Sequence, residues 1–171
     1  MNIKDIHIST VSEAEKEEVI AYVLACRKIL FPTLDHTRLP NDLQDFSNTY
    51  IGDSPGVFLQ ARDAQGVILG VVAMMPYVDR FAYLDFSQQR TVEVARLFVE
   101  PAYRKMGLGS MLVQALEELA RQRGLELLYL HTHPFLEGAF SFWQKQGFEF
   151  LLSKQESGFE TWHMRKLLTD N

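Results

Sequence analysis

Apolar residues in the second half of the chain recur at the two spacings that distinguish helices from strands. Around residues 109–123 they follow the i, i+3, i+4, i+7 spacing of an amphipathic helix, at Leu108, Met111, Leu112, Ala115, Leu116, Leu119 and Ala120. Short apolar runs at 91–99 and 125–131 flank this helix, and Gly124 is a natural stop before the second of them. The pattern therefore predicts a strand, a helix and a strand in succession.

The first half of the chain has a less regular pattern, but its boundaries are clear. A strand-like entry over residues 3–8 is followed by a helix, for which Thr10 and Glu13 stand at the spacing of a capping box. Pro32 breaks that helix, because proline lacks the amide hydrogen that a helix interior needs. Asn41 is the candidate cap of a short second helix.

The remaining segments complete a mixed order of helices and strands. Apolar runs at 57–62 and 67–74, joined by a short polar link, predict a hairpin. Residues 138–146 predict the last helix, and two antiparallel strands close the chain. The order strand, helix, helix, hairpin, strand, helix, strand, helix, strand, strand predicts one mixed α/β (α+β) domain over residues 1–171.

Composition narrows the class of function. The 171 residues are 47% hydrophobic and 23% charged, which suits a single globular domain. A net charge of -5 and the lack of a dense run of Lys and Arg argue against a nucleic-acid partner. Cys26 is the one cysteine, so no internal disulfide can form, and no basic leader or long apolar run indicates secretion or a membrane. We expect a cytoplasmic protein.

A turn with two glycines separates the strand that ends at Val99 from the amphipathic helix. The first turn of a helix leaves backbone N–H groups unpaired, and these donors suit a phosphate, as does the positive end of the helix dipole. Gly107 and Gly109 lack a Cβ, so a diphosphate can approach the main chain, and Arg104 and Lys105 add positive charge. We predict a diphosphate site; the alternative is an ordinary glycine turn before a helix.

Two common phosphate loops do not fit this turn. The Walker loop needs a Lys-Ser or Lys-Thr pair after its second glycine, whereas Gly109 is followed by Ser110 and Met111. The dinucleotide fingerprint needs a third glycine, and Leu112 stands at that position. A nucleotide-binding protein of either class is therefore disfavoured.

The segment from Val92 to Phe148 resembles the GNAT superfamily of N-acetyltransferases. Their acyl-CoA loop, Arg/Gln-x-x-Gly-x-Gly/Ala, is matched by Arg104-Lys105-Met106-Gly107-Leu108-Gly109. A second pattern, Ala-x-x-aromatic-aromatic-x-x-x-Gly-Phe, is matched by Ala139, Phe142, Trp143, Gly147 and Phe148. The resemblance implies a single GNAT-like domain with a central, mostly antiparallel sheet of about six or seven strands flanked by about four helices.

The resemblance also implies how acetyl-CoA, the cosubstrate of the family, is held. Main-chain groups of Leu97 and Val99 would pair with the pantetheine arm, and a strand amide near Phe98 would donate to the thioester carbonyl. The diphosphate would be held by amides of Arg104, Lys105, Met106, Gly107, Leu108, Gly109 and Ser110. Phe140 and Trp143 would flank the thioester, with packing of this helix face in the core as the alternative.

Glu93 is the candidate general base. An amine has a free pKa of about 10, so it must lose a proton before it attacks a thioester. Glu93 lies on the strand before the loop, near where some family members carry a glutamate that acts as base through water. The alternative is an exposed strand glutamate. Arg96, on the same strand, either binds an anionic substrate group or forms a surface ion pair.

The sequence departs from the family pattern at the general acid. Many relatives carry a tyrosine where Trp143 stands and an asparagine where Leu136 stands, and an indole N–H is not a useful acid near neutral pH. Tyr129 and His133 are conceivable donors, or the thiolate leaves without a proton. His131 and His133 lack an evident third ligand, so we predict no metal site.

These features predict an enzyme that moves an acetyl group from acetyl-CoA to a primary amine of a small molecule, by direct attack of the amine on the thioester. One alternative is a module that binds acyl-CoA without turnover. Another is an acetyltransferase of proteins or peptides, which needs an open groove between residues 31–50 and the closing hairpin. The expected partner is a small-molecule amine, with neither nucleic acid nor membrane, and the resemblance is compatible with a homodimer.

Overall fold

One sheet of seven strands runs through the computed structural model, which describes residues 3–168. The strands are β1 (His7–Thr10), β2 (Val57–Arg62), β3 (Ile68–Pro76), β4 (Thr91–Val99), β5 (Leu127–Thr132), β6 (Glu149–Glu156) and β7 (Phe159–Leu167). They lie in the order β1-β2-β3-β4-β5-β7-β6, and every neighbouring pair is antiparallel except β4 and β5. The predicted sheet is confirmed, and the predicted domain ends at residues 1–2 and 169–171 lie outside the described residues.

Five α-helices occur within residues 3–168, one more than the sequence pattern predicts. They are α1 (Lys16–Leu30), α2 (Asn41–Gln44), α3 (Phe46–Tyr50), α4 (Leu108–Gln122) and α5 (Ala139–Lys145). The predicted second helix is divided at Asp45, whose φ of -107° and ψ of 42° depart from helical geometry. Asn41 is the first residue of α2 rather than its cap, because the cap position is taken by Pro40.

The turn that leads into α1 starts later than predicted. Its capping box is formed by Ser12 and Glu15, not by Thr10 and Glu13. The Glu15 carboxylate accepts hydrogen bonds from the Ser12 amide at 3.1 Å and from the Ser12 hydroxyl at 2.8 Å. Thr10 is not free to cap the turn because β1 continues through it, and even the Val11 amide still donates to a β2 carbonyl at 2.9 Å.

Alternate residues of the central strands pack on opposite faces of the sheet. On one face, here called the α4 face, Leu59 and Val72 contact the core beneath α4 and α5. On the opposite face, here called the α1 face, Phe58 and Val71 pack with α1, α2 and α3. At β5, the α1 face is covered not by these helices but by residues 77–90, through Phe81, Leu84 and Phe86.

A stripe of leucines fixes α4 against the sheet. Leu108, Leu112 and Leu116 are four residues apart and fully buried, as the periodicity predicts. Burying each such side chain stabilises the fold by about 1.5–3 kcal/mol. The stripe therefore holds the first turn of α4 firmly beside the end of β4, where the candidate site lies.

Candidate active site

The strands β4 and β5 separate in the middle of the sheet. Their parallel pairing ends at Glu93 opposite Tyr129, and residues 94–99 of β4 do not pair with residues 130–132 of β5. We call the gap between these two strand ends the notch. Strands that part in this way expose main-chain N–H and C=O groups, and such groups need a hydrogen-bond partner. An extended ligand can supply that partner.

The register of β3 and β4 shows which amides of β4 face the notch. The Glu100 amide donates to the Leu69 carbonyl of the β3 side at 2.8 Å. Because successive strand residues direct their amides to alternate sides, the Phe98 amide also faces β3, whereas those of Leu97 and Val99 face the notch. The orientation of Leu97 and Val99 matches their predicted pairing with pantetheine. The Phe98 amide is turned away, so a carbonyl donor near it would be the Leu97 amide.

A bulge in β4 sits at the mouth of the notch. Ala95 and Phe98 pair with residues of β3 that are two positions apart, so β4 holds one extra residue there, and Arg96 has a φ of 61°. Arg96 donates to Asp42 of α2 through Nε at 3.1 Å and Nη2 at 2.7 Å. Tyr50 of α3 also donates to Asp42, at 2.7 Å.

The contacts of Arg96 decide between the two roles considered for it. Arg96 was expected either to bind an anionic substrate group or to form a surface ion pair. It forms an ion pair, but a largely buried one, with side-chain exposures of 20% for Arg96 and 12% for Asp42. Burial raises the pKa of Asp42, but the hydrogen bonds and charge of Arg96 outweigh this effect and hold the pKa below its usual value. The pair anchors α2 to the bulge.

The glycine turn places the first turn of α4 at the outer end of the notch. Gly107 has a φ of 89° and precedes α4, whose first internal hydrogen bond joins the Met111 amide to the Gly107 carbonyl at 3.0 Å. The amides of Leu108, Gly109 and Ser110 therefore have no partner within the helix. They form the cluster of donors that the sequence predicts for a diphosphate.

Backbone conformation and packing each add a reason for one of the two glycines. A Cβ on Gly107 would meet no atom of the protein, and its left-handed conformation itself favours glycine, while the approach of a diphosphate to it stays a prediction. A Cβ on Gly109 would lie 3.2 Å from Cε2 of Phe142, because α5 packs closely against the start of α4. A hydrogen bond from Gln146 to the Ser110 hydroxyl at 2.9 Å joins the same two helices.

Arg104 is folded back onto the end of β4. Its Nε donates to the Val99 carbonyl at 2.9 Å, and its guanidinium lies 5.4 Å from the centre of the Phe98 ring. The side chain is nevertheless exposed, as are those of Lys105 and Met106. Arg104 thus brings a fixed positive charge to the junction of the notch and the glycine turn.

The aromatic residues of α5 are mainly packing residues. Trp143 is buried in the core of the α4 face, with its ring 5.2 Å from that of Phe148. The Phe140 ring contacts Trp162 of β7 at 5.0 Å. These contacts favour the packing alternative for both side chains, and their contact with a thioester stays a prediction.

Glu93 lies at the inner end of the notch and is not the exposed glutamate of the alternative interpretation. It is 5% exposed, and its side chain lies on the α1 face of the sheet, whereas those of Val92 and Val94 lie on the α4 face. Its Oε1 accepts a hydrogen bond from Nη2 of Arg80 at 3.1 Å and lies 3.0 Å from Nδ1 of His131. The candidate base therefore belongs to a cluster of three charged or ionisable side chains.

Arg80 and His163 are site residues that the sequence analysis misses. Arg80 comes from residues 77–90, which lie between the predicted hairpin and the next predicted strand, where the sequence pattern predicts neither a helix nor a strand. His163 pairs across β5 and β7 with His131 and is fully buried. A signal was present, because a histidine inside an apolar strand must have polar partners in the core; nothing in the spacing says which partners these are.

His163 is held by two tyrosines. Tyr83 donates to Glu156 at 2.5 Å, so its oxygen accepts from Nε2–H of His163 at 3.0 Å, and Nδ1 accepts from Tyr129 at 2.6 Å. Burial lowers the pKa of His163 to about 4, which keeps the ring neutral at physiological pH. Burial also raises the pKa of Tyr129, whose proton is already engaged, and this makes Tyr129 a poor general acid.

His133, the other conceivable acid, belongs to an aromatic cluster beside the notch. Its ring stacks on Phe135 at 5.1 Å, and its Nδ1 lies 3.0 Å from the Glu160 carbonyl. Burial lowers the pKa of His133. Phe135 in turn contacts Phe31 at the end of α1, at 5.6 Å, and Phe159 of β7, at 5.4 Å. The cluster joins α1 to the closing hairpin.

Across residues 3–168, no three side chains of His, Cys, Asp or Glu are grouped so that they could hold a metal ion. No helix in that part of the chain is both long and apolar enough to cross a membrane.

A mixed sheet that parts beside a glycine turn and a helix N-terminus is the architecture of an acyl-CoA-dependent transferase. The chain belongs to the Acetyltransferase (GNAT) family, whose model matches residues 16–148. Enzymes of this family use acetyl-CoA, so the predicted family and cosubstrate are confirmed.

Two curated relatives illustrate the sequence similarity. The chain is similar to human N-acetyltransferase 8, with 24% identity over 111 residues, which are 65% of this chain and 46% of that protein. It is similar to rat N-acetyltransferase 8F1, with 27% identity over 113 residues, which are 66% of this chain and 48% of that protein. The match thus spans about half the length of these relatives.

Solved structures share the whole fold. An acetyltransferase of the GNAT family from Staphylococcus aureus Mu50 superposes with a TM-score of 0.76 and 21% identity, covering 96% of this chain and 99% of that one. The PaiA N-acetyltransferase of Thermoplasma acidophilum, solved in complex with coenzyme A, has a TM-score of 0.66 and 19% identity, covering 95% and 99%. At these identities the likeness establishes the fold, and the predicted single GNAT fold is confirmed.

Proposed function

We propose that this chain transfers the acetyl group of acetyl-CoA to a primary amine of a small molecule, by direct attack of the amine on the thioester. The observation that carries the proposal is the notch. One end meets the free amides of α4, and the other end meets the cluster of Arg80, Glu93 and His131. A ligand lying along β4 would therefore reach from a diphosphate site to ionisable side chains.

The residues along the notch fit the parts of acetyl-CoA. The amides of Leu108, Gly109 and Ser110 suit the diphosphate, with Arg104 as a nearby cation. The notch-facing amides of Leu97 and Val99 suit the amide groups of pantetheine. When bound, acetyl-CoA supplies an activated acyl carbon at the inner end of the notch.

The transfer of the acetyl group requires few further groups from the protein. The amine must lose a proton near the cluster around Glu93, and the carbonyl oxygen needs a donor as its charge grows, for which the Leu97 amide is the candidate. The leaving thiolate has an ordinary thiol pKa of about 8.5, so it can depart without a dedicated acid. This fits a site in which Trp143 is buried and the Tyr129 proton is engaged.

The aromatic cluster supports a small acceptor over a protein or peptide. A polypeptide acceptor needs an open groove between residues 31–50 and the closing hairpin. The contacts from Phe31 to Phe135 and from Phe135 to Phe159 bridge those two regions. Residues 77–90 narrow the site further on the α1 face of the sheet, since Phe81 and Phe86 pack against β5. A small amine can enter such a site more easily than an extended chain.

Isothermal calorimetry with acetyl-CoA tests the cosubstrate site. We expect the wild-type protein to bind and Arg104→Glu to lose at least about tenfold in affinity, because a charge reversal would face the diphosphate. Arg90→Glu is the matched control, since it makes the same charge change at the far end of β4, and it should bind like the wild type. No binding by the wild type, or equal loss in both variants, would contradict the proposed site.

A further inference from the structure

The contacts of Glu93 suggest that it is not the group that receives the proton. Within the proposed acetyltransferase function, we propose that Nε2 of His131 is the general base and that Glu93 is the positioning residue that holds this ring. The carboxylate of Glu93 is 3.0 Å from Nδ1 of His131, at the inner end of the notch.

Two polar contacts of Nδ1 bear on the tautomer of His131. Nδ1 of His131 lies 3.0 Å from Oε1 of Glu93, and because a carboxylate offers only lone pairs, this contact favours a hydrogen on Nδ1. Nη2 of Arg80 donates to the same oxygen at 3.1 Å and lies 3.3 Å from Nδ1, to which it would donate in the opposite tautomer; the closer contact of Nδ1, with Glu93, favours the hydrogen on Nδ1. The lone pair of the neutral ring is therefore on Nε2, the nitrogen that points away from Glu93.

His131 is also the more accessible of the two groups. Its side chain is 28% exposed, compared with 7% for Glu93. It lies two residues beyond Tyr129, the last residue of β5 that pairs with β4, and so it stands on the wall of the notch. Within residues 3–168, nothing hydrogen-bonds to Nε2 of His131, and that atom is not enclosed. An incoming amine would meet His131 before Glu93.

The ring of His131 is fixed by its neighbours as well as by Glu93. Phe81 meets it edge to face at 5.9 Å, and His133 does so at 5.9 Å. His163 lies across the strand pair at 6.4 Å, with both of its ring nitrogens bound to tyrosines. His163 is therefore not free to compete for Glu93 or for the proton of the amine.

The proposed reaction balances with the groups named. Nε2 of His131 takes one proton from the ammonium group of the acceptor, and Glu93 stabilises the imidazolium that results. The amine nitrogen then attacks the acyl carbon, so that the C–N bond forms and the C–S bond breaks, with the electron pair leaving on sulfur. A second nitrogen proton goes to that sulfur, the third remains in the product amide, and His131 returns its proton to solvent.

The choice of base follows general chemistry. In model peptides an imidazole has a pKa of about 6.5 and a glutamate about 4.3, so an imidazole is the stronger base for an ammonium group. Base catalysis by a positioned side chain contributes about 100-fold to 10,000-fold in rate. A carboxylate that orients an imidazole contributes through the tautomer and orientation of the ring.

The first test needs no acceptor. Nitrogen-15 NMR of the histidine side chains in the free protein reports which ring nitrogen carries the hydrogen. For neutral His131, assigned by its absence in His131→Gln, we expect the Nδ1–H tautomer. An Nε2–H tautomer would overturn the proposal, because the lone pair would then face Glu93.

The second test compares variants of the two residues in turnover with the best acceptor of an amine panel. We expect His131→Gln to lower kcat at least about 100-fold and Glu93→Gln about tenfold, with acetyl-CoA affinity unchanged in both. His133→Gln is a comparison from the same strand, and its loss should be much smaller, since its Nδ1 is bound to a main-chain carbonyl. A large loss in Glu93→Gln with little loss in His131→Gln would make Glu93 the base and overturn the proposal.

A third measurement separates a base from a merely structural residue. Hydroxylamine is already unprotonated at neutral pH, so its acetylation needs no removal of a proton before attack. The deficit of His131→Gln should shrink at least about tenfold with this acceptor. An equal deficit with both acceptors would overturn the proposal. If the wild type binds acetyl-CoA but acetylates no amine, the proposed function itself fails; if it does acetylate and His131→Gln is as active, only the role of His131 fails.

Discussion

The two ends of the notch are built in different ways. The outer end, here called the cofactor half, consists of residues 97–110, a continuous segment that offers mainly backbone amides. The inner end, here called the acceptor half, consists of Arg80, Glu93, His131 and His163, which come from a loop and three strands. The cofactor half depends on local backbone conformation, whereas the acceptor half depends on which side chains the sheet brings together.

This difference determines which substitutions each half can tolerate. Amides belong to every residue except proline, so the cofactor half constrains few side chains beyond its glycines and Arg104. In the acceptor half, Arg80 and His131 both contact the buried Glu93, so removing either of them leaves that carboxylate with fewer partners. Substitutions in the cofactor half and in the acceptor half should therefore impair different properties of the protein.

The largest stability effect is expected at the ion pair that anchors the bulge. Asp42→Ala should lower the free energy of unfolding by about 3 kcal/mol, because it leaves Arg96 largely buried without its partner. Urea unfolding measures this change. Asp53→Ala is the control, since that carboxylate is exposed, and it should change stability by less than about 0.5 kcal/mol.

The pair should also show a defined dependence on pH. Because the folded protein lowers the pKa of Asp42, the contribution of the pair is present above the unfolded pKa of about 3.9 and is lost as pH falls further. The stability gap between wild type and Asp42→Ala should therefore be constant near neutral pH and shrink below about pH 4. A gap that grows on acidification would contradict the account of this pair.

A smaller effect is expected in the cofactor half, from Gly109→Ala. The new Cβ would lie 3.2 Å from Phe142, so α5 must shift, at a cost of about 1–3 kcal/mol in the free energy of unfolding. Affinity for acetyl-CoA should fall in calorimetry, while His131 keeps its tautomer in NMR. Adding Phe142→Leu should recover part of both losses, and no recovery would mean that the glycine is needed for ligand approach instead.

A further effect concerns the acid sensitivity of the acceptor half. The pKa of His163 is about 4 in the folded protein and about 6.5 when unfolded, so only the unfolded chain binds a proton between these values. The free energy of unfolding should therefore fall as pH decreases from about 6.5 to 4. His163→Gln should flatten this dependence in part, because burial lowers the pKa of His133 as well. An unchanged slope would show that His163 titrates normally.

Most of the fold could be predicted because its signals are local. The leucine spacing of α4, the hairpin of β2 and β3 and the glycine turn each depend on neighbouring residues. The errors occurred where a tertiary contact competes with a local pattern. Thr10 matches a cap but belongs to β1, and the helix after Pro40 is divided at Asp45.

The candidate site shows the same distinction between local signals and tertiary contacts. Residues 97–110 could be located from a contiguous motif, whereas nothing in the spacing of Arg80, Glu93 and His131 reveals that they meet. The separation of β4 and β5 and the bulge at Arg96 create that meeting point, and both arise from pairing between distant segments. His131 entered the sequence analysis only as a weak metal ligand, because its carboxylate partner is 38 positions away, at residue 93 against 131.

The most direct measurement is turnover with acetyl-CoA and a panel that contains small primary amines and peptides. Free coenzyme A is followed by its thiol, and acetylated products are identified by mass spectrometry. We expect a small amine to be acetylated, with one thiol released per product, and peptides to react far more slowly. Acetyl-CoA binding without any acetylated product, or products from peptides alone, would contradict this expectation.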